Sequence, residues 1–165
     1  MTNTAPNNGK NAVELIRAIY RAVEDAKERS HEMVTLEHLV ASIMIEDDVQ
    51  ECLDHLGIDK TIIEAAIVGF LNGDFIEKVE PSIDPSPTTE FDRVVTTAIG
   101  AAMFSSREKP MPIDILVHIL QTPHQDSYAV TALLKSGLTA LDVKTFIAHG
   151  KDGAPQDNSW PDQQM

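Results

Sequence analysis

Apolar residues recur along the chain at three- and four-residue spacing. One stretch carries Leu15, Ile19, Ala22 and Ala26, the next Leu36, Leu39, Val40 and Ile43, and a third Ile62, Ile63, Ala66, Ile67 and Phe70. That spacing lines one face of an α-helix. No stretch alternates with period two over a convincing length, so no sheet is expected. Start and stop signals divide the pattern into short helices. Gly57 and Gly137 each follow an apolar turn and suit a left-handed C-cap, while Asp59 and Thr139 sit where an N-cap oxygen is wanted. Thr35 opens a helix after His31-Glu32 closes one. Thr122-Pro123 followed by Gln125 combines an N-cap, a proline at the first helical position and a capping-box partner. The expected fold is all-α with eight helices. Residues 1–11 and 151–165 show no periodicity and read as flexible tails, with Trp160 in the second, which leaves 12–150 as the ordered part.

The helical pattern occurs twice. Leu15, Arg17, Ile19, Ala22 and Ala26 recur 76 residues later as Phe91, Arg93, Val95, Ala98 and Ala102. TLEHLV at 35–40 recurs as PIDILV at 112–117, an offset of 77, and Leu56-Gly57-Ile58 recurs as Ser136-Gly137-Leu138, an offset of 80. The drift is a few residues inserted in connections. Two tandem four-helix repeats, 12–72 and 89–150, are therefore expected to form one pseudo-twofold bundle. They are joined by 73–88, GDFIEKVEPSIDPSPT, a linker with three prolines.

Charge changes the picture of what such a bundle meets. The 165 residues carry 13 Lys and Arg against 26 Asp and Glu, a net charge of −13. Such a surface repels nucleic-acid phosphates and anionic membranes, so partners should be proteins or cationic groups. The charge is uneven: 12–72 holds 13 acidic and 5 basic side chains, whereas 91–150 holds 5 of each. One cysteine, Cys52, cannot form an internal disulfide and reads as a core or half-buried thiol rather than a nucleophile. The N-terminus lacks the apolar segment of a secretory signal, and no run is long and apolar enough for a membrane helix. A cytoplasmic protein is expected.

The stretch HEMVTLEHL, His31 to Leu39, has the residue types of a metal or catalytic site. A zinc protease of the HExxH type needs its two histidines at i and i+4 on one helix. Here His38 lies seven residues after His31, across a helix boundary, so both read as surface histidines flanking a helix corner. Gly150-Lys151 lacks the earlier glycine of a phosphate loop, and there is no Gly-x-Ser-x-Gly elbow. His118, His124 and His149 show no ligand spacing. No catalytic residue, metal or cofactor is assigned.

The tandem units, a corner reading HExxxxEHL and an end reading LDVKTFIAHG resemble the N-terminal (Clp N repeat) domain of the Clp AAA+ unfoldases. The ClpA branch is the most similar; its N-domain closes with LDV-x-x-FI-x-HG. The resemblance covers 12–150 and is most specific at Glu37-His38-Leu39, at Phe91-x-Arg93-Val94 and at Leu141–Gly150. The chain departs from it at FSSREKPMPIDILVHIL and at Tyr20, where the family has asparagine. No Walker motif occurs in the 165 residues.

The resemblance implies an all-helical recognition module that binds substrates and the adaptor ClpS, which delivers proteins to the unfoldase. Carried over by position, the adaptor-facing residues are Glu32, Glu37, Thr88 and Arg93, with both glutamates at an exposed corner. The resemblance leaves two related readings: a module that docks ClpS or substrates for an unfoldase, and a free-standing mimic, from a phage or mobile element, that sequesters the adaptor. A monomer suits either. A third reading of another class is a metal-dependent hydrolase using His31, Glu32 and His38.

Overall fold

A computed structural model of the chain describes residues 12–73, 77–80, 83–104, 110–121 and 127–149. These hold eight helices: α1 (Val13–Glu28), α2 (Leu36–Ile43), α3 (Asp47–His55), α4 (Lys60–Asn72), α5 (Thr89–Met103), α6 (Pro112–Gln121), α7 (Tyr128–Lys135) and α8 (Ala140–His149). The boundaries follow from local chemistry. Asp59 accepts the Thr61 N–H at 3.0 Å and so caps α4, Thr88 accepts the Phe91 N–H at 3.1 Å and caps α5, and Thr139 accepts the Asp142 N–H at 3.1 Å and caps α8. Each supplies an oxygen to an amide that the helix itself leaves without a partner. Gly57 and Gly137 have φ of 70° and 96° and end α3 and α7 in the left-handed region. The Thr122-Pro123-Gln125 signal lies outside the described residues, as do both tails and Trp160. Within the described residues α7 starts at Tyr128, where Ser127 accepts the Val130 N–H at 3.2 Å.

The packing is pseudo-twofold. The α1–α2 contact has its counterpart in α5–α6, α2–α4 in α6–α8, α1–α6 in α5–α2, and α2–α7 in α6–α3. The two central helices, α2 and α6, touch each other. They are the TLEHLV and PIDILV copies, and they are buried on nearly every side. Leu15 and Phe91, Ala22 and Ala98, and Ala26 and Ala102 are all buried at matching positions, while Arg17 and Arg93 both face solvent. The alanines let α1 and α5 approach α2 and α6 closely, and the large residues of the two central helices fill the space between.

One element departs from the helical expectation. Met33–Val34 (β1) pairs in parallel with Ser86–Pro87 (β2), with Met33 opposite Ser86 and Val34 opposite Pro87. The Ser86 N–H donates to Glu32 O at 3.0 Å and the Thr88 N–H to Val34 O at 3.0 Å. Strands of two residues are too short to show alternation, and proline at an edge donates nothing to a ladder, so the sequence carries no strand signal here. The ladder fixes the start of α5 against the corner between α1 and α2.

Candidate functional site

The corner itself is built from backbone. His31 N–H donates to Ala26 O at 2.9 Å, closing the end of α1, and Ser30 is forced to a positive φ of 59°. The chain then runs beside two other segments. Val79 N–H donates to Ser30 O at 2.8 Å, Glu32 N–H donates to Glu77 O at 2.7 Å, and the ladder to β2 follows. Glu32 and Thr88 therefore belong to adjacent hydrogen-bonded segments. Glu32 is exposed, Thr88 is half-buried at the cap of α5, and Arg93 is exposed on the next turn.

Glu37 does not join them. It is 5% exposed, and its Oε2 accepts the Ala129 N–H at 2.8 Å and the Ser127 hydroxyl at 3.1 Å. The carboxylate reaches across from the first repeat to cap the start of α7 in the second, where the positive end of the helix favours an anion. The exposed position expected for it from sequence is thus corrected: the side chain ties the two repeats together. At the equivalent position of the second repeat, Asp114 accepts the Met111 N–H of its own helix start at 2.8 Å. The related α3–α6 contact has its own carboxylate, Asp48, whose Oδ2 accepts the Ile113 N–H at 2.9 Å while Oδ1 accepts the Val49 N–H at 2.8 Å. Burial raises the Asp48 pKa above the ordinary carboxylate value, against the two backbone donors that lower it.

The histidines also differ from expectation. His31 and His38 are buried, at 1% and 0% exposure, rather than on the surface. Thr35 N–H donates to His38 Nδ1 at 2.9 Å, and Thr35 Oγ1 accepts the Glu37 N–H at 3.2 Å, so His38 takes the place of the usual glutamate in a capping box. With Nδ1 accepting, the hydrogen of the neutral ring sits on Nε2, and this assignment makes His38 Nε2–H the donor to His31 Nδ1 at 2.9 Å. Two ring nitrogens facing each other at that distance are too close to share a zinc ion, whose bonds to nitrogen are each about 2 Å and diverge tetrahedrally. Burial holds both rings below the ordinary imidazole value, and His38 is pushed down to about 4. One clue to this burial was present: in the repeat His38 aligns with Ile115, a core position, and Glu37 aligns with Asp114.

Other polar groups near the corner are satisfied within the fold. Ser42 Oγ donates to Ala18 O at 2.6 Å, and Arg21 donates to Ser42 O at 2.9 Å and pairs with Glu46 at 2.8 Å. Cys52 is buried with its thiol pushed up to about 12, which leaves it without nucleophilic character at neutral pH. Among the described residues no group of three His, Cys, Asp or Glu side chains is placed to hold a metal ion. A cavity of about 520 Å³ lies between α6 and α8, lined by Val117, His118, Lys144 and Ile147. No helix among the described residues is long and apolar enough to cross a membrane.

Comparison with known proteins agrees with this architecture. A ClpA homolog protein of Fuscovulum blasticum is 30% identical over 139 residues, covering 82% of this chain but only 17% of its own length. The chain therefore spans about a sixth of that relative. The Hsp104 N-terminal domain of Candida albicans superposes with a TM-score of 0.64 at 16% identity, covering 90% of this chain and 93% of that one. A ClpV N-domain in complex with a VipB peptide superposes with a TM-score of 0.64, also at 16% identity, covering 95% and 99%. The family described as the Clp repeat (R) N-terminal domain matches residues 13–136. With its eight helices in two related sets and that match across most of its length, the chain belongs to the Clp N-terminal domain family.

Proposed function

We propose that this chain is a non-catalytic docking module that recruits a ClpS-like adaptor, or Clp substrates directly, in ATP-dependent proteolysis in the cytoplasm, and that it works as a monomer. The observation that carries the reading is the placement of Glu32, Thr88 and Arg93. Two opposite charges without a partner in the described structure stand near a helix cap, on segments held together by the β1–β2 ladder. Rigid backbone below and free side chains above suit recognition, because the partner then orders few groups on binding. Glu37 enters this surface only as a support, through its hold on α7. The affinity expected of such a docking contact is roughly micromolar, near −8 kcal/mol.

Support for a protein partner comes also from the acidic first repeat, which would steer a basic partner toward the corner. The ClpV N-domain bound to a VipB peptide is a relative of the same fold that takes a peptide. The alternative of a free-standing mimic that sequesters the adaptor uses the same three residues and the same surface. A metal-dependent hydrolase does not fit the His31–His38 geometry. The test is calorimetric titration of the chain into ClpS, together with Glu32→Lys and Arg93→Glu. Saturable one-to-one binding that either substitution weakens at least about tenfold supports the reading, and unchanged affinity in both variants moves the surface elsewhere.

A further inference from the structure

We propose that the buried His31–His38 pair makes the Glu32–Thr88 docking face proton-sensitive: the face holds together while both rings are neutral and loosens when either takes a proton. Its functional half rests on the docking reading above; its structural half does not. The hydrogen-bond chain runs in one direction, from Thr35 N–H to His38 Nδ1 and from His38 Nε2–H to His31 Nδ1, each step at 2.9 Å. The two nitrogens able to take a proton are thus both already accepting. A proton on His31 Nδ1 would face the His38 N–H, and one on His38 Nδ1 would turn to Thr35 Oγ1, 2.9 Å away, leaving without its acceptor the Thr35 N–H that closes the capping box of α2. Either way one of the two hydrogen bonds in the chain is lost.

The consequence reaches the face through two bonds of backbone. Ser30 and Glu32, on either side of His31, hold the 77–79 segment, and Glu32 O holds Ser86 N–H. Ser30 sits in the left-handed region, which a residue with a side chain occupies only while its surroundings hold it there. The backbone hydrogen bonds of Ser30 and His31 hold that strained point, and a shift of the His31 ring would pull on them. The charged groups facing the pair are few. From α1, Asp25 favours the charged form of both rings, while Arg29 opposes it. Lys78, whose backbone pairs with that of His31 in the linker, opposes it as well. Arg21, Glu24 and Glu28 line the cleft over His38, and Glu37 on α2 is turned toward α7. The pair is consequently neutral near pH 7 and takes its proton as pH falls below the ordinary imidazole value.

Amide hydrogen exchange on the full chain tests this, read at Ser86 and Thr88 from about pH 7.5 to about pH 4.5 and corrected for intrinsic exchange. Expected is a loss of protection of about tenfold or more at both amides, while Leu116 and Ile119 in α6 keep theirs. His38→Gln offers a side-chain amide donor without a titrating ring and should flatten the dependence. Unchanged protection in the native chain, or an equal loss in His38→Gln, overturns the proposal. Should that variant not fold, Asp25→Asn removes the carboxylate that favours protonation and should move the midpoint to lower pH; an unmoved midpoint overturns the proposal equally. ClpS titrated at about pH 7.5 and about pH 4.5 separates the two claims. Binding of equal strength at both overturns the functional half. No binding at either defeats the docking reading alone, and the exchange result then decides the switch.

Discussion

Glu37 shows how one side chain can look like a docking group and serve as a brace. Its carboxylate satisfies the Ala129 amide in a buried place, so Glu37→Ala should destabilise the fold by about 2 kcal/mol in urea unfolding, by leaving that donor without a partner. Glu37→Lys should cost more, about 3 kcal/mol or above, because it sets a cation against the positive end of α7. Loss of adaptor binding in that variant would therefore report unfolding, and Glu32→Lys is the informative change. The histidines predict a pH dependence. His38 falls from the ordinary imidazole value to about 4, and a group of this kind stabilises the fold above its unfolded value. Stability should thus be full above about pH 6.5 and decline by about 3 kcal/mol as pH drops toward 4, measured by urea midpoints across that range. Residue types at the corner were legible in sequence; their direction was not. Whether Glu37 turns outward or toward α7 depends on a residue 92 positions away, which periodicity within the first repeat does not register.

At the scale of elements, most starts and stops could be read directly because each is a local event. Asp59, Thr88 and Thr139 cap the helices they precede, and Gly57 and Gly137 end α3 and α7 at positive φ. The contrast among glycines gives a prediction with a change of sign. A Cβ at Gly57 would meet nothing within 4 Å, and at Gly137 only Ile58 Cδ1 at 4.0 Å, so Gly→Ala at either position should cost about 1 kcal/mol through backbone conformation alone. At Gly69 and Gly100, inside α4 and α5 with nothing within 4 Å, the same change should instead stabilise by up to about 1 kcal/mol. Thermal midpoints of the four variants check both signs. What sequence did not reveal at this scale is the β1–β2 ladder. Two residues per strand leave no period to detect, and the partner segments are more than fifty residues apart in the chain. Burial on α2 is half-visible in the sequence: the helical period marks its apolar positions and is silent on its polar ones. The repeat held the correction, since Ile115 occupies the place of His38 in a helix whose burial is plain.

At the scale of the whole molecule, the repeat governs both architecture and charge. Matching offsets near 77 anticipated that α2 and α6 would be counterparts, and the paired contacts around them follow. Buried polarity divides the two halves. Among the described residues three of the four buried polar side chains, Glu37, His38 and Ser42, lie on α2, and His31 lies just before it, while the positions of His38 and Ser42 on α6 are the apolar Ile115 and Ile119. The first repeat thus spends stability on a defined corner, and the second supplies a plain apolar partner for it. Such a division suits a module whose task is to present a fixed surface, with the charges of Glu32 and Arg93 both exposed. The most direct test of that account is calorimetric titration of the chain into ClpS at moderate salt, repeated with Arg93→Glu, a change at an exposed site that should leave unfolding unaltered. One-to-one binding is expected with a Kd of roughly micromolar, weakened at least about tenfold in the variant. Absence of binding by a folded native chain, or equal binding by both proteins, would contradict it.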